Sequence, residues 1–270
     1  MMVTSIKLIK ELRMKTGSGF LECKVALQKS NGNLAHAIDY LRTAGACLAE
    51  RKILRKTKFG RIFLYQQSNL GVLLELNSET DFVSSNKEFE NFGQMIIDFA
   101  GSNNLFDIEK LNNFFEQKKI LLISKFSENI VIRRIQYLTG NMITSYMHLG
   151  KIGVILSGTN SLNSCSQKKH FKYVAMHIAA TNPRYLSETD IPSDIMIREK
   201  NIQSQIAEKT GKNPTVLQAI IQGRMNKFIN EISLIRQSFI KNPKITVGEY
   251  LKKHRLSINS FIRFQVSEKI

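Results

Sequence analysis

The chain has 270 residues, 43% hydrophobic and 23% charged, which is enough apolar material for a sizeable core in two or three small domains. Its 39 Lys and Arg against 22 Asp and Glu give a formal net charge of +17. No stretch approaches the roughly 20 apolar residues of a membrane helix, and Met1 to Ser5 leads straight into an amphipathic pattern without an apolar signal core, so a cytoplasmic protein is expected.

The first segment predicts three short helices. Ile6, Ile9, Leu12 and Arg13 follow helical spacing behind Thr4 or Ser5 as a cap, and Gly17-Ser18-Gly19 breaks the pattern. Phe20 to Lys29 resumes it with Leu21, Val25 and Leu27 as apolar positions, and Asn31-Gly32-Asn33 ends it. Leu34, Ile38 and Leu41 mark a third helix, expected to stop near Gly45. Three helices in so little chain suit a compact module, residues 1–50, that presents one face to a partner. Residues 51–61 form the densest basic stretch and are expected to be a linker, serving either as a solvated hinge or as a polyanion contact.

Strands are expected at Ile62 to Tyr65 and Gly71 to Asn77, joined as a hairpin through Gln66-Gln67-Ser68-Asn69. Glu79-Thr80-Asp81-Phe82-Val83 follows. Then come a helix carrying Phe89, Phe92, Ile96 and Phe99, a second from Asp107 to Ile123, and a strand from Asn129 to Leu138. The second half repeats the plan: Gly71-Val72-Leu73-Leu74 matches Gly153-Val154-Ile155-Leu156, the following helix matches Phe171 to Ala180, and Ile132-Arg133-Arg134 matches Ile262-Arg263-Phe264. The offset grows from 153 − 71 = 82 to 263 − 133 = 130, which implies an insertion of 48 residues. Pro192 opens a helical pattern to about Thr210, Gly211-Lys212-Asn213-Pro214 turns it, and Thr215 to Asn230 returns. Ile195, Ile202 and Ile206 are expected to meet Val216, Ile220 and Phe228 in an antiparallel coiled coil. The resulting division is a core N-subdomain at 62–140 and a core C-subdomain at 141–270, with the insertion at about 190–230.

Catalytic machinery is not evident. Gly150-Lys151 and Gly211-Lys212 lack the remaining residues of a phosphate loop, and no dinucleotide fingerprint or H-E-x-x-H is present. His170 and His177 share a helix face without ligand partners at metal spacing, and no Ser, His and Asp set stands out. Cys23, Cys47 and Cys165 are too widely spaced for a C-x-x-C site or a disulfide framework and are expected to be small buried hydrophobes. The chain thus has the character of a binding protein rather than an enzyme. Its charge either marks a polyanionic or acidic partner, or follows from a coding bias that also enriches Asn and Ile.

Several segments, in order, carry a resemblance that runs from about residue 4 to about 268. They are Lys10-Glu11-Leu12-Arg13, Thr16-Gly17-Ser18-Gly19, Glu22-Cys23-Lys24-Val25-Ala26-Leu27, Asn77-Ser78-Glu79-Thr80-Asp81-Phe82-Val83 and Glu128-Asn129-Ile130 with Ile132-Arg133-Arg134. Tyr146-Met147-His148, Ala175-Met176-His177-Ile178-Ala179-Ala180, Gly223-Arg224-Met225 and Phe261-Ile262-Arg263-Phe264 complete the set. Together they resemble the bacterial elongation factor Ts family.

That resemblance implies an α+β fold: an N-terminal three-helix module of ubiquitin-associated type, a two-part α+β core with pseudo-repeated subdomains, and an inserted antiparallel coiled-coil hairpin. It also implies guanine-nucleotide exchange, the release of GDP from elongation factor Tu, with that factor as partner in its GDP-bound and nucleotide-free states. No cofactor or metal is implied. Asp81 and Phe82 match the family's intruding residues, and Thr80 and Val83 shape their turn. The residues alone allow another reading, in which Phe82 closes the domain's own core and Asp81 caps a helix beginning near Ser84. His148 matches a histidine that acts near the partner's phosphate loop; the family has glycine next, where this chain has Leu149 and then Gly150. Tyr146 is expected to be a packing residue. Arg13, Phe20 and Leu21 fall on family contact positions. The chain departs from the family in its basic linker and in lacking an additional C-terminal helix that longer members carry, so contacts through that helix are expected to be missing. The alternative from another class is a nucleic-acid or ribosome-binding protein that uses the basic stretch.

Overall fold

A computed structural model describes residues 5–160, 165–209 and 213–269. The chain forms two compact units. One comprises the chain up to Tyr65, Leu73–Gln136 and the segment from Gln265 on; the other comprises Gln66–Val72 and Tyr137–Phe264. Among the described residues no helix is long and apolar enough to cross a membrane.

The first unit begins with α1 (Ile6–Thr16), α2 (Phe20–Lys29) and α3 (Leu34–Lys52). Ser5 caps α1 by accepting from the Lys7 N–H, and Gly17 ends it in the left-handed region at φ 70°, where glycine meets no Cβ penalty. The Glu22 carboxylate reaches back to the Gly19 N–H at 3.1 Å, and Asn33 caps α3. The shared core is Ile9, Leu12, Cys23, Ala26, Leu27, Ala37 and Leu41. Of the apolar positions of α2, Leu27 is buried, while Leu21 and Val25 lie on the outer face with Cys23 and Ala26 inside. Two expectations are corrected here. Cys23 is buried as expected, whereas Cys47 is exposed, and the side chain of Cys165 lies outside the described residues. Gly45 does not stop the third helix. It sits inside α3, where a Cβ would lie 3.4 Å from the Ser124 side chain, so it marks the near approach of another helix.

That helix is α6 (Ile108–Phe126), which with α5 (Lys87–Asn103) accompanies a sheet of β1 (Phe59–Gln66), β2 (Leu70–Ser78) and β3 (Ile130–Thr139) in the order β1-β2-β3. Every residue of β2 is buried, as befits a central strand covered on both faces. Phe89, Phe92, Ile96 and Ile97 of α5 are buried, and Phe92 meets Phe115 of α6 edge to face at 6.1 Å. The non-regular part of the basic stretch is short: α3 runs through Lys52 and β1 begins at Phe59.

A fully buried carboxylate sits inside this unit. Glu75, at the middle of β2, has no exposed surface. Its carboxylate receives Arg133 Nη1 at 3.0 Å, Arg134 Nε at 2.6 Å and the Ser267 N–H at 2.7 Å. Arg134 also meets the Gln265 carbonyl at 2.9 Å, and Arg133 donates to the carbonyl of Glu268. Adjacent arginines on β3 thus join the central strand to the last described segment.

The second unit repeats the strand order with β4 (Met142–His148), β5 (Ile152–Asn160) and β8 (Leu256–Gln265) as β4-β5-β8. In each sheet the second strand of a hairpin is central and a strand from beyond the helices pairs with it. β4 and β5 are antiparallel, with His148 opposite Ile152. Val154 and Leu156 of β5 pack on Phe171, Val174, Ala175 and Ile178 of α7 (Cys165–Thr181). The small pair β6 (Ser238–Phe239) and β7 (Asn242–Thr246), with α10 (Val247–Lys253), closes the same core through Phe239, Val247 and Tyr250.

The insertion forms α8 (Ser193–Glu208) and α9 (Pro214–Ile232); Gly211 and Lys212 of the expected turn lie outside the described residues. Ile195 and Met196 pack with Phe228, Ile229 and Ile232, and Gln203 accepts from Arg224 at 3.4 Å, so the two helices run in opposite directions. The seam differs from the expected one. Gln203 and Ala207 face inward, whereas Ile202, Ile206 and Val216 stay exposed, about a quarter turn round the helix.

His177 of α7 is fully buried. The Ile240 N–H donates to its Nδ1 at 3.2 Å, so the proton lies on Nε2, which donates to Gln237 Oε1 at 2.9 Å. Burial pushes its pKa below the usual 6.5, partly offset by the Gln237 hydrogen bond. His170 is shifted the same way, first by burial and then by His254, stacked at 3.8 Å, and by Lys169. With the folded pKa below the unfolded one, the unfolded chain takes up protons first as pH falls. Stability contributed by the neutral rings is therefore present above about 6.5 and lost below it. The urea midpoint of the second unit is expected to fall as pH drops from about 7 to about 5, at up to about 1.4 kcal/mol per pH unit for buried His177, with less from the more exposed and solvent-screened His170. His177→Gln should flatten the dependence.

Candidate functional site

Thr80-Asp81-Phe82-Val83 lies where β2 ends and α5 has yet to begin. Asp81–Ser84 makes a single helical turn, α4, whose cap is Thr80: the Thr80 hydroxyl accepts from the Val83 N–H at 3.5 Å. Asn86 caps α5 by accepting from the Glu88 N–H at 2.8 Å. Asp81 therefore caps neither helix and is the first residue of the short turn. Val83 and Ser84 are buried and anchor the turn from below. Phe82 points away, 85% exposed, with Asp81 exposed beside it. The alternative in which Phe82 closes its own core is thereby set aside.

The turn is braced from the α6–β3 junction. The Thr80 N–H donates to Glu128 Oε2 at 3.0 Å, and the Thr80 hydroxyl donates to Glu128 Oε1 at 2.6 Å. Reciprocally, the Asn129 N–H donates to Glu79 Oε1 at 2.7 Å, and Arg55 meets Glu79 at 3.5 Å. Ser78 donates to the Thr80 carbonyl at 2.8 Å, the Asn129 amide reaches the Arg55 carbonyl at 3.0 Å, and Lys52 donates to the carbonyl of Ser127. Glu79 and Glu128 were both within recognised segments, yet sequence reasoning gave them no role. The signal was slight: a threonine with two donors at a strand end needs an acceptor, but nothing in the sequence places that acceptor 48 residues away.

His148 belongs to the second unit, at the end of β4. The Lys151 N–H returns to the His148 carbonyl at 2.9 Å across Leu149 and Gly150, with φ of 51° and 67°. Two central residues with positive φ define a type I′ hairpin turn, which favours Asn-Gly. Leu149 thus holds a left-handed conformation that suits glycine, and its side chain is 81% exposed. The exposed ring of His148 is held through Nδ1, 3.3 Å from the Tyr146 hydroxyl, and half-buried Tyr146 packs on the core of the unit. Leu149→Asn is expected to raise the stability of the second unit by about 1 kcal/mol, measured as a higher urea midpoint.

In the three-helix module Arg13 is exposed, Phe20 is 44% exposed and Leu21 is 73% exposed. Leu21 and Val25, one turn apart on α2, line a cavity of about 340 Å³ with Tyr40, Leu41 and Leu48 of α3. The structure thus gathers Thr80, Asp81, Phe82 and Val83 into one turn. Arg13, Phe20 and Leu21 belong to the three-helix module of that unit, and His148 to the second unit. Among the described residues no group of His, Cys, Asp or Glu is arranged to hold a metal.

The turn thus presents an exposed aromatic ring on a braced backbone. Comparison with known proteins gives the chain a family. The sequence profile described as Elongation factor TS matches residues 79–268. The chain is 59% identical over 271 residues to Elongation factor Ts of Buchnera aphidicola subsp. Cinara cedri, covering 100% of this chain and 98% of that one. It is 46% identical to the protein of the same name from Buchnera aphidicola subsp. Acyrthosiphon pisum (97% of this chain, 96% of that one), and 41% identical to that of Actinobacillus succinogenes (97% and 91%). The chain belongs to the elongation factor Ts family, and with it to translation elongation in protein biosynthesis.

Proposed function

We propose that the chain is a guanine-nucleotide exchange factor: it binds elongation factor Tu in its GDP-bound and nucleotide-free states and promotes GDP release by disturbing the Mg²⁺ and phosphate site of that partner. The observation that carries this reading is Phe82, presented to solvent on a turn whose backbone is fixed from behind. A large apolar ring held outward has a desolvation gain to collect only in a partner's interior. Phe82 wedges between partner elements, and exposed Asp81 competes for the groups that order the Mg²⁺. His148 acts from the second unit near the phosphate loop, and Arg13, Phe20 and Leu21 dock the three-helix module.

No group in this scheme breaks a covalent bond. A protein that binds the empty partner better than the loaded one weakens nucleotide binding by the same factor. Stopped-flow release of a fluorescent GDP from elongation factor Tu tests the reading: the wild-type chain is expected to accelerate release, and no acceleration would overturn it.

The alternative is a nucleic-acid or ribosome contact through residues 51–61. Arg51, Lys56 and Lys58 are exposed there, while Lys52, Arg55 and Arg61 are engaged with Ser127, Glu79 and Glu90. Affinity for RNA that falls steeply with salt would favour it.

A further inference from the structure

We propose that Glu128 is a positioning residue for this contact: its carboxylate latches Thr80, and so fixes the direction in which Asp81 and Phe82 leave the domain. The proposal rests on the exchange-factor reading for its partner and on the geometry of the turn for its mechanism.

An exposed side chain has no packing to aim it. Phe82, at 85% exposure, takes its direction from the backbone of α4. A helix of four residues does not hold itself, since nucleation fixes several dihedrals for one hydrogen bond. Something outside the turn must hold its cap. Thr80 is that cap, and both of its donors end on one carboxylate, the N–H on Oε2 at 3.0 Å and the hydroxyl on Oε1 at 2.6 Å. Charge-assisted pairs of this kind are stronger and more directional than neutral ones.

The second bond also sets the hydroxyl rotor. With its hydrogen committed to Glu128, the Thr80 oxygen keeps a lone pair for the Val83 N–H, so the cap of α4 depends on the carboxylate behind it. Glu79 does the reciprocal service for the Asn129 N–H at 2.7 Å, and Lys52 donates to the Ser127 carbonyl, so the chain is held on both sides of Glu128. A turn held this way presents its wedge in one direction, so the ring is already aimed once the two surfaces have met.

Glutamine at this position is the discriminating change. It is nearly isosteric but offers one acceptor oxygen and an amide donor, so one of the two Thr80 donors loses its acceptor. With such a bond lost, the Thr80 amide of Glu128→Gln is expected to exchange with solvent roughly tenfold faster by NMR, while amides of β1 to β3 keep their protection. In the GDP-release assay the maximum rate is expected to drop by about tenfold while the half-saturating concentration moves by less than about threefold, because surface is retained and aim is lost. In a Phe82→Ala background the same substitution should have a much smaller effect, the part carried by Asp81.

Thr80→Val, which keeps the N–H bond and removes the hydroxyl, should act in the same direction more weakly. It provides the measurement if Glu128→Gln does not fold. Unchanged exchange at Thr80, or a loss of rate that persists undiminished in the Phe82→Ala background, overturns the latch. Failure of the wild type to release GDP would overturn the function reading alone, since the amide measurement is made without the partner.

Discussion

Phe82→Ala is expected to abolish most of the acceleration of GDP release while leaving the protein folded. The ring touches little of its own chain, so its removal should change stability by no more than about 0.5 kcal/mol. At a partner surface, a buried aromatic anchor is worth about 2 kcal/mol or more, which corresponds to a loss of about thirtyfold in the affinity it supports. The two numbers must be measured together, by urea denaturation and by stopped-flow release from elongation factor Tu. Normal acceleration by the variant would remove Phe82 from the mechanism; a collapsed urea midpoint would mean that the ring serves its own domain.

The opposite profile is expected for Glu75. Glu75→Ala leaves Arg133 and Arg134 facing a gap in a fully buried strand, and breaking such a pairing costs about 3–5 kcal/mol. A fall in melting temperature on the order of 10 °C follows for a chain of this size. Glu75→Gln, which keeps an acceptor for one arginine, should lose less. Because Glu75 has no exposed surface, it contacts no partner, and any effect on exchange should track the unfolded fraction alone. A variant that kept wild-type stability would show that the two arginines rearrange to solvent without cost.

The parts of the fold that sequence made legible are those dictated by local pattern. Phe89, Phe92 and Ile96 announce the buried face of α5, and Asn31-Gly32-Asn33 marks the break between α2 and α3. The repeated strand order follows from two apolar runs that each lead a helix. What stayed hidden depends on contacts far along the chain. Gly45 looks like a stop but makes room for α6, and only the packing partner distinguishes the two. Ile202 and Ile206 look like a seam because they are apolar, whereas the returning helix chose the face of Gln203 and Ala207. Thr246 and Glu249 form a capping box that was available to sequence reasoning and went unread, so α10 was missed.

At the candidate site the ordering of the residues was readable and their support was not. Thr80 to Val83 could be picked out by resemblance, but the outward pose of Phe82 depends on buried Val83 and on Glu128 across a long loop. Leu149 could be seen to replace glycine, and only the positive φ shows that the turn kept its glycine-like shape with the wrong side chain.

The joining of Ser267 and Glu268 to the arginines around Glu75 also bears on how the chain acquires its structure during synthesis. The first unit has nearly all its residues once Gln136 is made, but its closing segment starts at Gln265, 265 − 136 = 129 residues later. At the usual pace of about 5–20 residues per second, that interval lasts on the order of ten seconds. Throughout it the nascent first unit carries a buried carboxylate without its Ser267 N–H donor and a sheet without its last brace. The second unit is completed only as that brace emerges. The order of manufacture is therefore not the order of completion, and the first unit waits for a segment made after nearly all of the second before it is finished.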